Sequence, residues 1–298
     1  MQERIQKYFR IGTISAVSFP LVKPADIIKK LAADDFFDFI EFEHISCSDD
    51  IPHIRRFLAQ GHLSASYSAH WVVLAKKMNP NDLDEERRKE AETALLEALE
   101  EASVLSAAHF TFLAGRFSVG QEEKGLIQLE KTVSAVCRQA AALGIQVELE
   151  LFDYDLDKCS LLGPAPLAAA FAARMREQVS NFGLMADLSH FPATRENARF
   201  ILRTLRSYLT HFHMGNIVVE PGLPAYGDLH PHFGFPHSVN DVAELAEFLS
   251  LLREEGFFCE EHPYPLTFEV RPQADEDPEI VLSNAKRTLQ RAWSLLKD

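Results

Sequence analysis

Four stretches of this 298-residue chain carry side chains that a protein core excludes and that metal chemistry uses. In VELELF at 147–152 polar and apolar residues alternate, so Glu148 and Glu150 share one face and Glu150 lies nearer the C-terminal end. The others are MADLSH at 185–190, with Asp187 and His190, HFHMGN at 211–216, with His211 and His213, and FEVR at 268–271, with Glu269 and Arg271. Carboxylates joined by an imidazole suit one divalent cation such as Mn²⁺, Mg²⁺, Co²⁺ or Zn²⁺, and the absence of thiolates disfavours a structural zinc site. Taken singly, each residue has an ordinary reading: Asp187 as a helix cap, Glu269 as a partner for Arg271, Glu148 as a barrel-layer residue, a strand histidine as a satisfied core group. Their coincidence on four successive strands points to a shared site.

Those strands belong to a longer series. Apolar or alternating runs recur at 11–18, 36–44, 63–68, 108–113, 146–152, 182–187, 209–214 and 266–270, and helically spaced segments such as 85–105, 125–143 and 243–255 lie between them. With no Gly/Ser/Pro linker or break in composition, the series predicts one α/β domain over 1–298, a (β/α)₈ TIM barrel. In such a barrel the C-terminal strand ends build the active site. The charge-rich stretch at 82–101 reads as the solvated face of a long helix. One non-helical segment, 217–237, holds four prolines and three histidines and is too long for a casual connection, so it reads as a loop over the active-site face.

Composition narrows the partners. A 47% hydrophobic, 25% charged chain is ordinary globular usage and excludes a disordered or fibrous protein. The net charge of −14 disfavours nucleic acid and anionic membrane surfaces. Cys47, Cys137, Cys159 and Cys259 are too far apart for a metal motif or a disulfide framework. Reduced thiols, no export signal and no long apolar segment predict a cytoplasmic protein, and homo-oligomerisation stays open.

The pieces LELFDYD (149–155), ADLSH (186–190), HFHMGN (211–216), YGDLHPHFG (226–234) and FEVRP (268–272) together resemble the sugar isomerase and epimerase superfamily, whose fold is the xylose-isomerase-like barrel. The resemblance covers nearly the whole chain. It implies a metal site of Glu150, Asp187, His213 and Glu269, with His190 orienting substrate and Glu150 and Glu269 also moving protons. His70, Tyr226, Asp228, His230 and Arg271 are then candidates to touch a small sugar-like substrate. The expected chemistry is isomerisation or epimerisation through a metal-stabilised enediolate. The superfamily also holds inosose dehydratases and DNA-repair enzymes. Two departures stand out. The family's free-ketose epimerases place an arginine shortly after the histidine of the seventh strand, yet 207–252 contains no arginine or lysine. His70, His109, Asp228 and His230 resemble the further zinc ligands of the endonuclease IV branch, although His109 is expected near the start of its strand, far from the rim.

Overall fold

In β-strands whose every second residue is bulky and apolar, one face packs under helices and the other is left for the inside of a closed sheet. A computed structural model describes residues 3–296 and shows that closure. Eight parallel strands pair in sequence order: β1 (Phe9–Ile14), β2 (Phe39–Phe42), β3 (Ser64–Ser68), β4 (His109–Leu113), β5 (Gln146–Glu150), β6 (Phe182–Asp187), β7 (Leu209–Gly215) and β8 (Tyr264–Glu269), with β8 closing on β1. Helices follow in turn at Pro24–Ala32, Ile51–Gly61, Glu85–Val104, Glu122–Leu143, Ala165–Gln178, Ala198–Leu205, Val242–Glu254 and Pro278–Leu295. The expected α/β TIM barrel is the fold observed.

Local chemistry sets the helix boundaries. Asp84 accepts from the amides of Glu86 and Arg87, and Asp277 from those of Glu279 and Ile280, with Pro278 in the first turn. Helix Glu85–Val104 buries Ala91, Leu95, Ala98, Leu99 and Ala102 at helical spacing, and its charged residues lie mostly toward solvent. Two strands differ from expectation. The first begins earlier and ends at Ile14, because Phe9 and Arg10 pair with Tyr264 and Pro265 while Ser15–Ser18 forms a helical turn, tied back by Thr13 to Ser18 at 2.7 Å. The second is shorter, because Asp34 Oδ1 accepts from the Phe36 amide and holds its start in a turn. The segment 217–237 is non-helical, as its prolines require, and folds on itself through bridges from Val218 to Tyr226 and Gly227. Among the described residues no helix is long and apolar enough to cross a membrane.

The outward faces are conventional: Phe110, Phe112, Leu149, Phe212, Met214 and Phe268 are all sealed beneath helices. The lumen is not. TIM barrels are mostly filled by layers of Val, Ile and Leu, but here Glu41, Glu148, Glu150, His211 and His213 occupy the interior at 0–2% exposure. They persist because they pair. Glu148 contacts His109 Nδ1 at 3.0 Å and His211 Nδ1 at 2.9 Å, and accepts from Thr210 Oγ1 at 2.8 Å.

His211 lies between Glu148 and Glu41, each 2.9 Å away. Burial opposes its charge, but the two carboxylates outweigh burial and raise its pKa to about 9. The stability this adds is complete below the unfolded-state value near 6.5 and is lost as pH rises through about 9. Thermal unfolding of metal-free protein should therefore show a melting temperature that falls between pH 6.5 and 9. His211→Gln should flatten that fall; an unchanged slope would contradict the assignment.

Candidate metal centre

The C-terminal ends of β5 to β8 converge. One ligand atom each from Glu150, Asp187, His213 and Glu269 lies within 4.8 Å of the others. His213 Nδ1 is 2.8 Å from Glu269 Oε2 and 3.5 Å from Glu150 Oε1. Asp187 divides its labour: Oδ1 accepts from the Ser189 amide at 2.7 Å, as a capping aspartate does, while Oδ2 is buried without a hydrogen-bond partner. Glu150 behaves likewise, with Oε2 2.8 Å from His70 Nε2 and Oε1 buried and unpartnered. Unsatisfied buried carboxylate oxygens are costly. Two of them beside an imidazole nitrogen and a third carboxylate fit a divalent cation, by donor type and by convergence.

Electrostatics agrees. Burial pushes the Asp187 carboxyl up to about 6, with Glu269 adding to the rise against His190. Glu150 stays well below the usual carboxylate range: burial raises it, but His213 and His70 overcome that. His213 is raised well above its ordinary value, burial being outweighed by Glu41 and Glu150.

Around these four lies a second group. His190 Nδ1 is 2.7 Å from the Leu151 carbonyl, and its Nε2 is 3.0 Å from Asp228 Oδ1. Asp228 also meets His230 Nε2 at 2.7 Å and Lys158 Nζ at 2.9 Å. His230 reaches Glu269 Oε1 at 3.3 Å and Asp187 Oδ2 at 3.9 Å. It does so from a left-handed backbone, φ +45°, an unfavourable conformation for a residue with a Cβ, and the Arg271 amide holds it by donating to its carbonyl at 2.7 Å. Gly215 makes room, because a Cβ there would stand 3.0 Å from His230 Nδ1 and from Ser189.

The structure thus brings together Glu150, Asp187, His213, Glu269, His70, His190, Asp228 and His230. Arg271 contributes its main chain while its side chain is exposed beyond the end of β8. Tyr226 is half-buried and bridges Val218 through its backbone. His232 faces away from the centre, its Nε2 3.1 Å from Glu276. Glu148 lies deeper, and His109, at the start of β4, pairs with it far from the rim. Sequence reasoning missed Glu41, whose Oε1 is 3.0 Å from His213 Nε2; the available signal was one ionisable residue inside the apolar FIEF of β2.

Residues 30–287 match the sequence model described as xylose isomerase-like TIM barrel. The chain belongs to that family. No curated protein matches it by sequence. Among solved structures, this xylose isomerase-like barrel is similar to the IOLI protein with a binding zinc atom (15% identity, TM-score 0.76, covering 96% of this chain and 98% of that one). It is also similar to L-ribulose 3-epimerase (16%, 0.73, 95% of each chain) and to an AP endonuclease, family 2, from Brucella melitensis (16%, 0.67, 92% and 96%). At such identities the likeness is one of fold.

A cation taking His213 Nδ1 must displace its proton, and one taking Asp187 must keep that carboxyl ionised. Titration of metal-free protein with Zn²⁺ at pH 7, in buffers of different ionisation enthalpy, should release about one proton or more per ion, and apparent affinity should fall as pH drops toward 6. Binding without proton release would show that His213 is not a ligand.

Proposed function

We propose that this barrel is a metal-dependent isomerase or epimerase of a sugar or a related polyhydroxy carbonyl compound. The observation that supports it best is the convergence of Glu150, Asp187, His213 and Glu269, two of whose buried oxygens accept no hydrogen bond among the described residues. A bound divalent cation, Mn²⁺, Zn²⁺, Co²⁺ or Mg²⁺, supplies a Lewis acid that makes the carbon next to a carbonyl easier to deprotonate.

The protein's own groups do the rest. Glu150 comes from β5 and Glu269 from β8, on different sides of the barrel mouth. One carboxylate takes the proton from one face of the substrate carbon and the other returns a proton to the opposite face, which inverts that centre. His190, His230, Asp228 and His70 offer directional hydrogen bonds suited to hydroxyl groups, and Tyr226 and Arg271 lie on the segments that border them. Burial without neutralisation would make these groups poor partners for a neutral polyol; instead His230 and His190 hold the Asp228 carboxyl well below its ordinary range against burial, and Lys158 pairs with it. With no lysine or arginine at 207–252, the loop after β7 offers no cation for a phosphate, and a phosphorylated substrate would have to draw on Arg116, Lys158 or Arg271.

A second reading, cleavage of abasic DNA, is favoured by one observation: Asp187, His190 and His230 also bring ligand atoms within 4.8 Å of one another, enough for a further ion. Against it stand the acidic charge and the position of His109.

Solvent-deuterium incorporation into a panel of free ketoses, with Mn²⁺ or Co²⁺ added, tests the first reading. Glu150→Gln and Glu269→Gln should each reduce exchange by about a thousandfold or more while far-UV circular dichroism stays that of the parent, on the scale expected for loss of an essential base. About one metal per chain and no cleavage of abasic DNA is the expected companion result. Two or three zinc ions with cleavage would replace this reading by the nuclease.

A further inference from the structure

His213 offers a cation only one nitrogen, and something must keep the proton off it. Nδ1 points at Glu150 and Glu269, and without a cation its neighbour Glu269 Oε2, at 2.8 Å, would draw the proton there. The other nitrogen, Nε2, faces down the lumen to Glu41 Oε1 at 3.0 Å. The same oxygen is 2.9 Å from His211 Nε2, and His211 Nδ1 is 2.9 Å from Glu148 Oε2. Glu148 in turn meets His109, which is partly exposed at the N-terminal end of the barrel. His211 presents Nδ1 to Glu148 and Nε2 to Glu41 and to Thr267 Oγ1 at 3.3 Å, so Glu41 Oε1 lies between the Nε2 atoms of two imidazoles. Glu41 comes from β2, across the lumen from β7, and is fully buried; no water-exposed group competes for its oxygen.

We propose that Glu41 is a positioning residue: supported from below by His211 and Glu148, it holds the proton of His213 on Nε2 and fixes the ring plane, leaving the Nδ1 lone pair for the cation. A carboxylate behind a metal-bound histidine raises the basicity of the ligand and selects its tautomer. This rests on the metal-centre reading above. Glu148 carries the same charge and the same burial, but it touches His211 rather than His213. It therefore separates positioning from simple charge balance in the lumen.

The experiment uses the full chain and Zn²⁺ alone. Affinity is measured by competition with a chromophoric chelator for the parent, Glu41→Gln and Glu148→Gln, and long-range ¹H–¹⁵N spectra of the zinc-loaded parent report which nitrogen of His213 bears the proton. The expected results are a proton on Nε2 in the parent, a 10- to 100-fold weaker Zn²⁺ affinity in Glu41→Gln at unchanged stoichiometry, and less than about a threefold change in Glu148→Gln. A proton on Nδ1 would overturn the proposal, and that reading needs no variant to fold. Equal losses in the two variants would show a packing role, and loss of one of two bound ions would make Glu41 a ligand. A parent that binds no Zn²⁺ and no Mn²⁺ would sink the metal-centre reading itself, whereas a parent that binds with Glu41→Gln indistinguishable from it would sink only this one.

Discussion

Charge balance within a closed lumen is the constraint from which the rest of this structure follows. A carboxylate removed from water without compensation costs several kcal/mol, and the lumen carboxylates Glu41, Glu148 and Glu150, at 0–2% exposure inside the closed barrel, are shielded from bulk solvent. The carboxylates in and around the lumen named above are therefore faced by imidazoles: Glu41 and Glu148 share His211, Glu150 has His70, Glu269 has His213, and Asp228 has His230, all at 2.7–2.9 Å. Asp187 is the exception. Its nearest imidazoles are 3.9 and 4.0 Å away, and its carboxyl is the one among these that burial drives upward. The poorest internal compensation falls where the proposed cation would stand, so folding and ion binding are settled by the same ledger of charges.

Much of this was legible in the sequence, because strand alternation and helix spacing depend on neighbours a few residues apart. VELELF declared both its period and its polar face, and the Gln146–Glu150 strand followed. The ends of β6, β7 and β8 were readable only together, since an aspartate, a histidine and a glutamate near three successive strand ends form a coincidence that the ordinary reading of each does not explain. What stayed hidden depends on closure. Glu41 sits alone in FIEF, a stretch that looks like an ordinary buried strand, and its partners His211 and His213 are about 170 residues away in the chain. No local pattern states that β2 faces β7. Similarly, nothing in HPHFGF reveals that His230 turns inward and His232 outward; the left-handed turn at His230 decides that, and it depends on Arg271 and Gly215.

Barrels of this kind usually divide their labour between a catalytic end and a stabilising end. The pairs from His213 through Glu41, His211 and Glu148 to His109 cross that division. The lower layer of the lumen is a run of contiguous charged and polar groups rather than an inert apolar plug, so residues at the N-terminal end take part in the electrostatics of the opposite one.

The backbone bond from the Arg271 amide to the His230 carbonyl has a kinetic meaning. It staples the loop after β7 to the residue two beyond Glu269, above ligand atoms that are almost wholly enclosed. A path to them through this side would cross both the staple and the Asp228–Lys158 pair. An ion confined to that path would exchange with the medium at the rate at which those contacts break rather than at a rate set by coordination strength, giving it a long residence time even where its equilibrium affinity is modest.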